Sequence, residues 1–251
     1  MANPLAITLR PTGEVTASGQ GAAVDIGTLR TAARVRLVVA ALTAGAELRV
    51  VIETSPDGQT WSQRLVLYAT AAGVQKTAVG PCERYVRATW TLEGHGSPSA
   101  TFELAGEAHV LYADLEDLDS RGIRPQAFED AELGPRIDAL LQATADADGA
   151  LSTRYKLPLQ AWGEDLRARV VSRATYYLIK HRGFDPEGQD AVVILDGGHV
   201  LDNGARTAVQ KWFDDVAHGR VHPAGIVDST PAKREFGARV RSRSRRGWDA
   251  C

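Results

Sequence analysis

The chain has 251 residues, enough for two domains of ordinary size. Its 44% hydrophobic and 24% charged residues describe a globular protein and exclude a disordered or fibrous chain. The formal charge of −2 is unevenly spread: residues 232–251 hold seven basic residues against Glu235 and Asp249, so a basic tail follows an acidic body. No run of 18 apolar residues predicts a membrane span. The N-terminus lacks the charged and apolar regions of a signal peptide. Cys82 and Cys251 form no disulfide or metal framework and fit a reducing compartment.

Residues 1–111 predict strands. Ala33–Leu42 alternates and then turns continuously apolar, and Glu47–Thr54 places Leu48, Val50 and Ile52 on one side. Ser55-Pro56-Asp57-Gly58 is turn chemistry. Further strands are expected over Trp61–Tyr68, Arg84–Leu92 and Thr101–Val110. Seven or eight short strands without a helical period predict an antiparallel β-sandwich.

From Asp114 the period becomes helical. A short acidic helix carries Leu115 and Leu118 on one face, with Gly122 at its end. Residues 123–133 read as a connection. A long helix then begins at Gly134, with Pro135 in its first turn and a stripe of Ile137, Leu140, Leu141, Thr144, Ala147, Leu151 and Tyr155. Gly149 lies inside it at a cost of about 1 kcal/mol, which predicts close approach of a neighbouring backbone. Pro158 ends the element. Gly163–Arg182 is the next helix, acidic at its start and basic at its end as the dipole favours. Residues 185–204 are expected to project as a loop or hairpin. Ala205–His218 closes the helical part, with Val209, Trp212, Phe213 and Val216 inward. The predicted organisation is an all-β plus all-α pair. A jelly-roll-like sandwich (1–111) precedes a small helical bundle (112–231) and an extended basic tail (232–251).

No motif for catalysis emerges, and neither an enzyme site nor a cofactor is expected. His218 and His222 are four apart, but Gly219 and Pro223 break the helix that would align them. Asp146-Ala147-Asp148-Gly149 fails the calcium-loop spacing, so both carboxylates read as a solvated helix face. Asp196-Gly197-Gly198 and Asp202-Asn203-Gly204 read as turns. Phosphate-binding, dinucleotide and nucleophile-elbow motifs are missing from the sequence. Asp214-Asp215 and Glu116-Asp117 are adjacent and point apart on a helix, which suits no acid–base pair.

The string Asp148-Gly149-Ala150-Leu151-Ser152-Thr153-Arg154-Tyr155-Lys156-Leu157-Pro158-Leu159 resembles the D-G-x-L-x-x-R-Y-x-L-P-L signature of the head–tail adaptor family of Mu-like tailed phages, over about residues 112–231. The resemblance implies a virion structural protein of the neck, assembled in the host cytoplasm. It implies a ring of 12 copies beneath the portal, joining capsid to tail and continuing the DNA channel without sequence-specific contact. Its partners would be copies of itself, the portal, and a tail or stopper protein, with no membrane. Gly149, Leu151, Arg154, Tyr155, Leu157 and Pro158 would set the bundle fold. The tail residues Arg239, Arg241, Arg243, Arg245, Arg246 and Trp248 are candidates for docking on the portal, since the alternating arginines share one side of an extended strand.

Two other readings stand beside it. Ser55–Trp61 and Arg84–Trp90 resemble discoidin-like or carbohydrate-binding jelly rolls, which would make the chain an adhesion module on a helical stalk. In that comparison Trp61 and Trp90 read first as packing and second as sugar platforms. A DNA-packaging accessory bound through the basic tail is the third. Opposite charges at Asp114–Asp119 and at Arg167–Arg173 with Lys180–Arg182 are expected to form complementary flanks between subunits.

Overall fold

The computed structural model describes residues 4–121, 133–181 and 208–229. Nine strands come first: β1 (Leu5–Val15), β2 (Gly19–Gln20), β3 (Val24–Asp25), β4 (Arg30–Leu42), β5 (Glu47–Ser55), β6 (Ser62–Ala69), β7 (Gly73–Val79), β8 (Tyr85–Glu93) and β9 (Ala100–Val110). Four helices follow: α1 (Leu115–Arg121), α2 (Leu133–Leu151), α3 (Glu164–His181) and α4 (Ala208–Ala217).

The strands form two antiparallel sheets, ordered β1-β9-β4-β7 and β2-β8-β5-β6, with β3 also pairing β8. First strand beside last, with β5 and β6 paired in one sheet and the chain crossing between sheets from β4 to β5 and at each step from β6 to β9, is jelly-roll order. Period-two alternation drives the assembly. Ala33, Val35, Leu37 and Val39 of β4 face Leu48, Val50 and Ile52 of β5 across a shared core with Phe102 and Leu104. The strand count exceeds the expected seven or eight because β2 and β3 are too short to show a period. β1 also carries Pro11 and Gly13, which its place at a sheet edge and its shifts of register accommodate. Trp90 is a core residue, 8% exposed, packed edge-on to Phe102 with its Nε1 donating to the Ala17 carbonyl at 3.2 Å.

α1 is started by a reciprocal cap. Asp114 Oδ1 accepts the Asp117 N–H at 2.8 Å, and Asp117 Oδ2 accepts the Asp114 N–H at 3.1 Å. The helices bury one continuous core: Leu140, Ala147 and Leu151 of α2, Leu166, Val170 and Ala174 of α3, and Val209, Phe213 and Val216 of α4. α2 also lies on the outer face of the first sheet. Ile137 and Leu141 pack there on Ala32 of β4 and Ala78 of β7, small residues that let the helix come close. Beside them Arg34 of β4 donates twice to Asp138 of α2, at 2.7 and 3.0 Å, and Gln142 holds the other oxygen at 2.6 Å.

Two features of the long helix differ from expectation. It ends at Leu151, so Tyr155 lies beyond it. The hydroxyls of Ser152 and Thr153 turn back onto the carbonyls of Gly149 and Ala150, both at 3.0 Å, and help satisfy the last turn. Gly149 is not a crossing point: a methyl group there would meet nothing within 4 Å. The close approach occurs at Gly163, where a Cβ would stand 2.5 Å from the Ala224 carbonyl oxygen. Of the expected projecting stretch 185–204, and of 122–132, all or nearly all lies outside the described residues, as does the tail from 230.

The two glycines therefore answer differently to the same change. Gly149→Ala should raise stability by about 0.5–1 kcal/mol, since only the backbone entropy of a helical glycine is removed. Gly163→Ala should lower it, because backbone must move to admit the methyl. Urea denaturation of the two variants beside the parent protein checks both signs.

Candidate functional site

The turn after α2 gathers the signature residues. Leu151 and Leu159 are fully buried, Tyr155 and Leu157 pack at the edge of the helical core, and Pro158 is half-buried on the cavity between the first sheet and α2. Gly149 is exposed on the last turn of α2. Arg154 extends across to α4, where its guanidinium occupies the space in which a side chain on Gly219 would stand. Gly219 has φ +74° and ends α4, so both its conformation and its neighbour call for glycine. Thr153 Oγ1 donates to the Ala217 carbonyl at 3.2 Å, next to that arginine. A hydroxyl and a cation thus meet the carbonyl end of α4, where the helix dipole favours positive charge.

The chain after α4 returns to the same turn. Gln160 N–H donates to the Val227 carbonyl at 2.7 Å, and Val227 N–H donates to Ala161 at 2.9 Å. Lys156 N–H donates to Asp228 at 3.1 Å, and Ser229 Oγ donates to the Lys156 carbonyl at 3.0 Å. The last described residues before the basic tail are therefore stitched to the signature. The docking candidates Arg239, Arg241, Arg243, Arg245, Arg246 and Trp248 themselves lie outside the described residues.

Beneath the turn Asp148 departs from the expected solvated helix face; it is 4% exposed. Tyr112, 1% exposed at the joint between β9 and α1, donates its hydroxyl to Asp148 in a short hydrogen bond. Burial first, and the neighbouring carboxylate second, push the Tyr112 hydroxyl's pKa far up, which keeps it a donor. Trp162 stands edge-on to the Tyr112 ring, and its Nε1 donates to the Tyr112 carbonyl at 2.8 Å. Asp146, the other carboxylate of that string, accepts from Arg173 at 2.7 Å and from Tyr177 at 2.6 Å.

The charges expected to serve as intersubunit flanks are largely engaged within the chain. Arg167 reaches Asp117 at 3.4 Å, Arg136 pairs with Asp119, and Arg173 pairs with Asp146. The reason is proximity: α1 packs along α3, and α2 packs along both α3 and α4.

Elsewhere, the chemistry is that of packing and turns. Among the described residues no three His, Cys, Asp or Glu side chains are placed to hold a metal ion. No helix among them is long and apolar enough to cross a membrane. Burial pushes the Cys82 thiol up to about 12, so its thiolate is scarce at neutral pH. A cavity of about 180 Å³ between the first sheet and α2 is lined by Arg30, Arg34, His109, Thr144 and Asp148. Burial and then the Arg34 charge hold His109 below the usual histidine range. One face of the Trp61 ring is covered by Arg87 at 4.0 Å, and Arg87 is fixed by Glu53 at 2.8 Å. In the turn before it, N–H groups of Thr60 and Gln59 and the Ser55 hydroxyl converge on Asp57, lowering its pKa to about 2.

Fold and site together define a jelly roll joined to a helical unit whose turn after α2 ties the helices to residues 227–229. The family model described as Bacteriophage Mu, Gp36 matches residues 114–242, just over half of the chain, and the chain belongs to that family. It is thus a phage-associated protein. No curated protein matches it. Among solved structures it is similar to one titled "Crystal structure of PBSX exported protein XepA", at 17% identity and a TM-score of 0.34, over 42% of this chain. The match spans 37% of that protein, and at this score it carries no argument.

Two outcomes follow from the site. Tyr112→Phe leaves a buried carboxylate short of a donor and should cost about 2 kcal/mol of stability, read by urea denaturation. The Asp57 carboxyl has its folded pKa below the ordinary value. The order it gives the turn should be complete above about pH 4 and lost as pH falls through 2. A carboxyl-detected NMR titration checks it; a midpoint near 4 would contradict the hydrogen bonding described.

Proposed function

We propose that this protein is a head–tail adaptor, a subunit of a ring of about 12 copies beneath the portal that joins capsid to tail and continues the DNA channel. The observation that carries the reading is the extent of the family match. It begins at Asp114, the cap of α1, takes in all four helices and the signature turn, and continues into the basic tail. The jelly roll lies before it, so in this reading the helical unit forms the ring and the sandwich decorates it from outside. The tail, rooted at Ser229 on the signature turn, reaches the portal through Arg239, Arg241, Arg243, Arg245, Arg246 and Trp248. A head-to-tail interface closes a ring when its rotation closes.

The adhesion alternative loses support from the tryptophans: Trp90 is core, and Trp61 is covered on one face. The test is electron microscopy of virions carrying this chain with an N-terminal label, together with mass photometry of the full chain mixed with its portal. The label should lie at the neck, and the mixture should give a ring-sized complex that is lost on truncation after Pro231. Label spread over the shell or along tail fibres would overturn the proposal.

A further inference from the structure

α3 carries a stripe of cations and aromatics that is half-buried at Arg169, Arg173 and Tyr176 and exposed at Lys180. Arg169, Arg173, Tyr176 and Lys180 are spaced by four, three and four residues and so share one side of the helix. Arg173 lies 5.1 Å from the Tyr176 ring centre and Lys180 5.9 Å from it, while Arg169 lies 6.0 Å from the Trp212 ring of α4. All these side chains are half-buried or exposed. Arg173 is held by Asp146, but Arg169 and Lys180 have no ion-pair partner among the described residues. Arginine, tyrosine and tryptophan in one patch is the composition of an interface centre.

The opposite side of the same helix is acidic. At 100° per residue, Arg167 lies about 200° round α3 from Arg169. On that side Arg167 contacts Asp117 and Glu164 at 3.4 and 3.9 Å, and α1 packs there. Among the described side chains here, Arg136 pairs with Asp119 and Arg167 with Asp117 and Glu164, while Asp114 and Glu116 stand at the exposed start of α1. Glu116 is exposed and has no ion-pair partner among the described residues.

We infer that the stripe Arg169–Lys180 with Trp212 is the docking surface for a second copy of this chain, and that it receives the acidic start of α1 centred on Glu116. Two unlike and complementary flanks on opposite sides of one helix make a head-to-tail contact, the kind that propagates from copy to copy. The inference rests on the ring reading and names the surfaces through which the ring closes. It differs from the flanks the sequence suggested. Arg167 and Arg173 are spent internally, whereas Arg169, Lys180 and Glu116 are left for a neighbour.

The experiment compares the full-length wild type, an Arg169→Glu/Lys180→Glu variant, and the same variant with Glu116→Lys added. Each is checked for unchanged circular dichroism and melting, then measured by mass photometry with and without portal. The double variant should self-associate at least about tenfold more weakly, and Glu116→Lys should restore part of the loss, because the charges are then exchanged rather than removed. Raising salt should weaken the wild-type contact. If the double variant assembles like the wild type, the inference falls and the ring reading stands. If the variant assembles normally but loses salt-sensitive binding to duplex DNA, the inference also falls and the stripe is assigned to a nucleic-acid backbone. If the wild-type chain remains a single copy in every mixture, both fall.

Discussion

The buried hydrogen bond from Tyr112 to Asp148 is the constraint on which the rest of the helical half depends. A carboxylate 4% exposed is costly to bury, and it is tolerated only where donors reach it. Tyr112 supplies one from the first residues after the last strand, and Trp162 fixes Tyr112 in turn through its carbonyl. Three distant stretches are thereby brought to one point: the end of the sandwich, the last turn of α2 and the approach to α3. Around that point the helices pack with small or branched residues, Ala143, Ala147, Val170 and Ala174. With α2 also seated on the outer face of the β4–β7 side, the helical unit has two separate attachments to the jelly roll, one polar and buried, one apolar and flat.

The signature turn does its work at one remove from chemistry. Leu151 and Leu159 anchor it, while Arg154 and Thr153 reach the end of α4. The strand-like exchange between Gln160–Ala161 and Val227 then brings the chain back. Consequently the same short sequence that orders the helices also fixes residues 227–229. Among the described residues the turn carries packing and backbone contacts and no cluster of metal-ligating side chains. Its own atoms are consumed in holding α2, α4 and residues 227–229 together.

Much of this was legible in the sequence, and the failures have identifiable causes. Strands β4, β5, β8 and β9 were visible because inward residues alternate with polar ones, and the helical stripes of α2, α3 and α4 were visible by the same logic at a different period. β2 and β3 were not, since two residues have no period. The charge of Asp148 suggests a solvated face, whereas its position suggests burial: it stands four residues after Thr144 and three before Leu151, on the buried stripe itself. The spacing carried the signal; its partner Tyr112, 36 residues away, did not. Gly149 differs from expectation for a related reason. Close approach is a property of two chains, and only the fold shows that the approaching backbone meets Gly163 instead.

The intramolecular ion pairs also change how the charged surface should be understood. Sequence alone shows runs of opposite charge, and every member of a run looks equally available. Folding divides them. Arg136, Arg167 and Arg173 each find a carboxylate on an adjacent element, and pairs of this kind at half-exposed positions contribute modestly to stability. What they do more decisively is subtract: they remove those charges from the set that can meet another molecule. Among the described residues those left over are fewer: Arg169 and Lys180 on α3, and Glu116 on α1, the helix that packs along α3 where Arg167 meets Asp117. A surface edited in this way can distinguish its two sides, and a subunit whose sides differ can be added in only one direction.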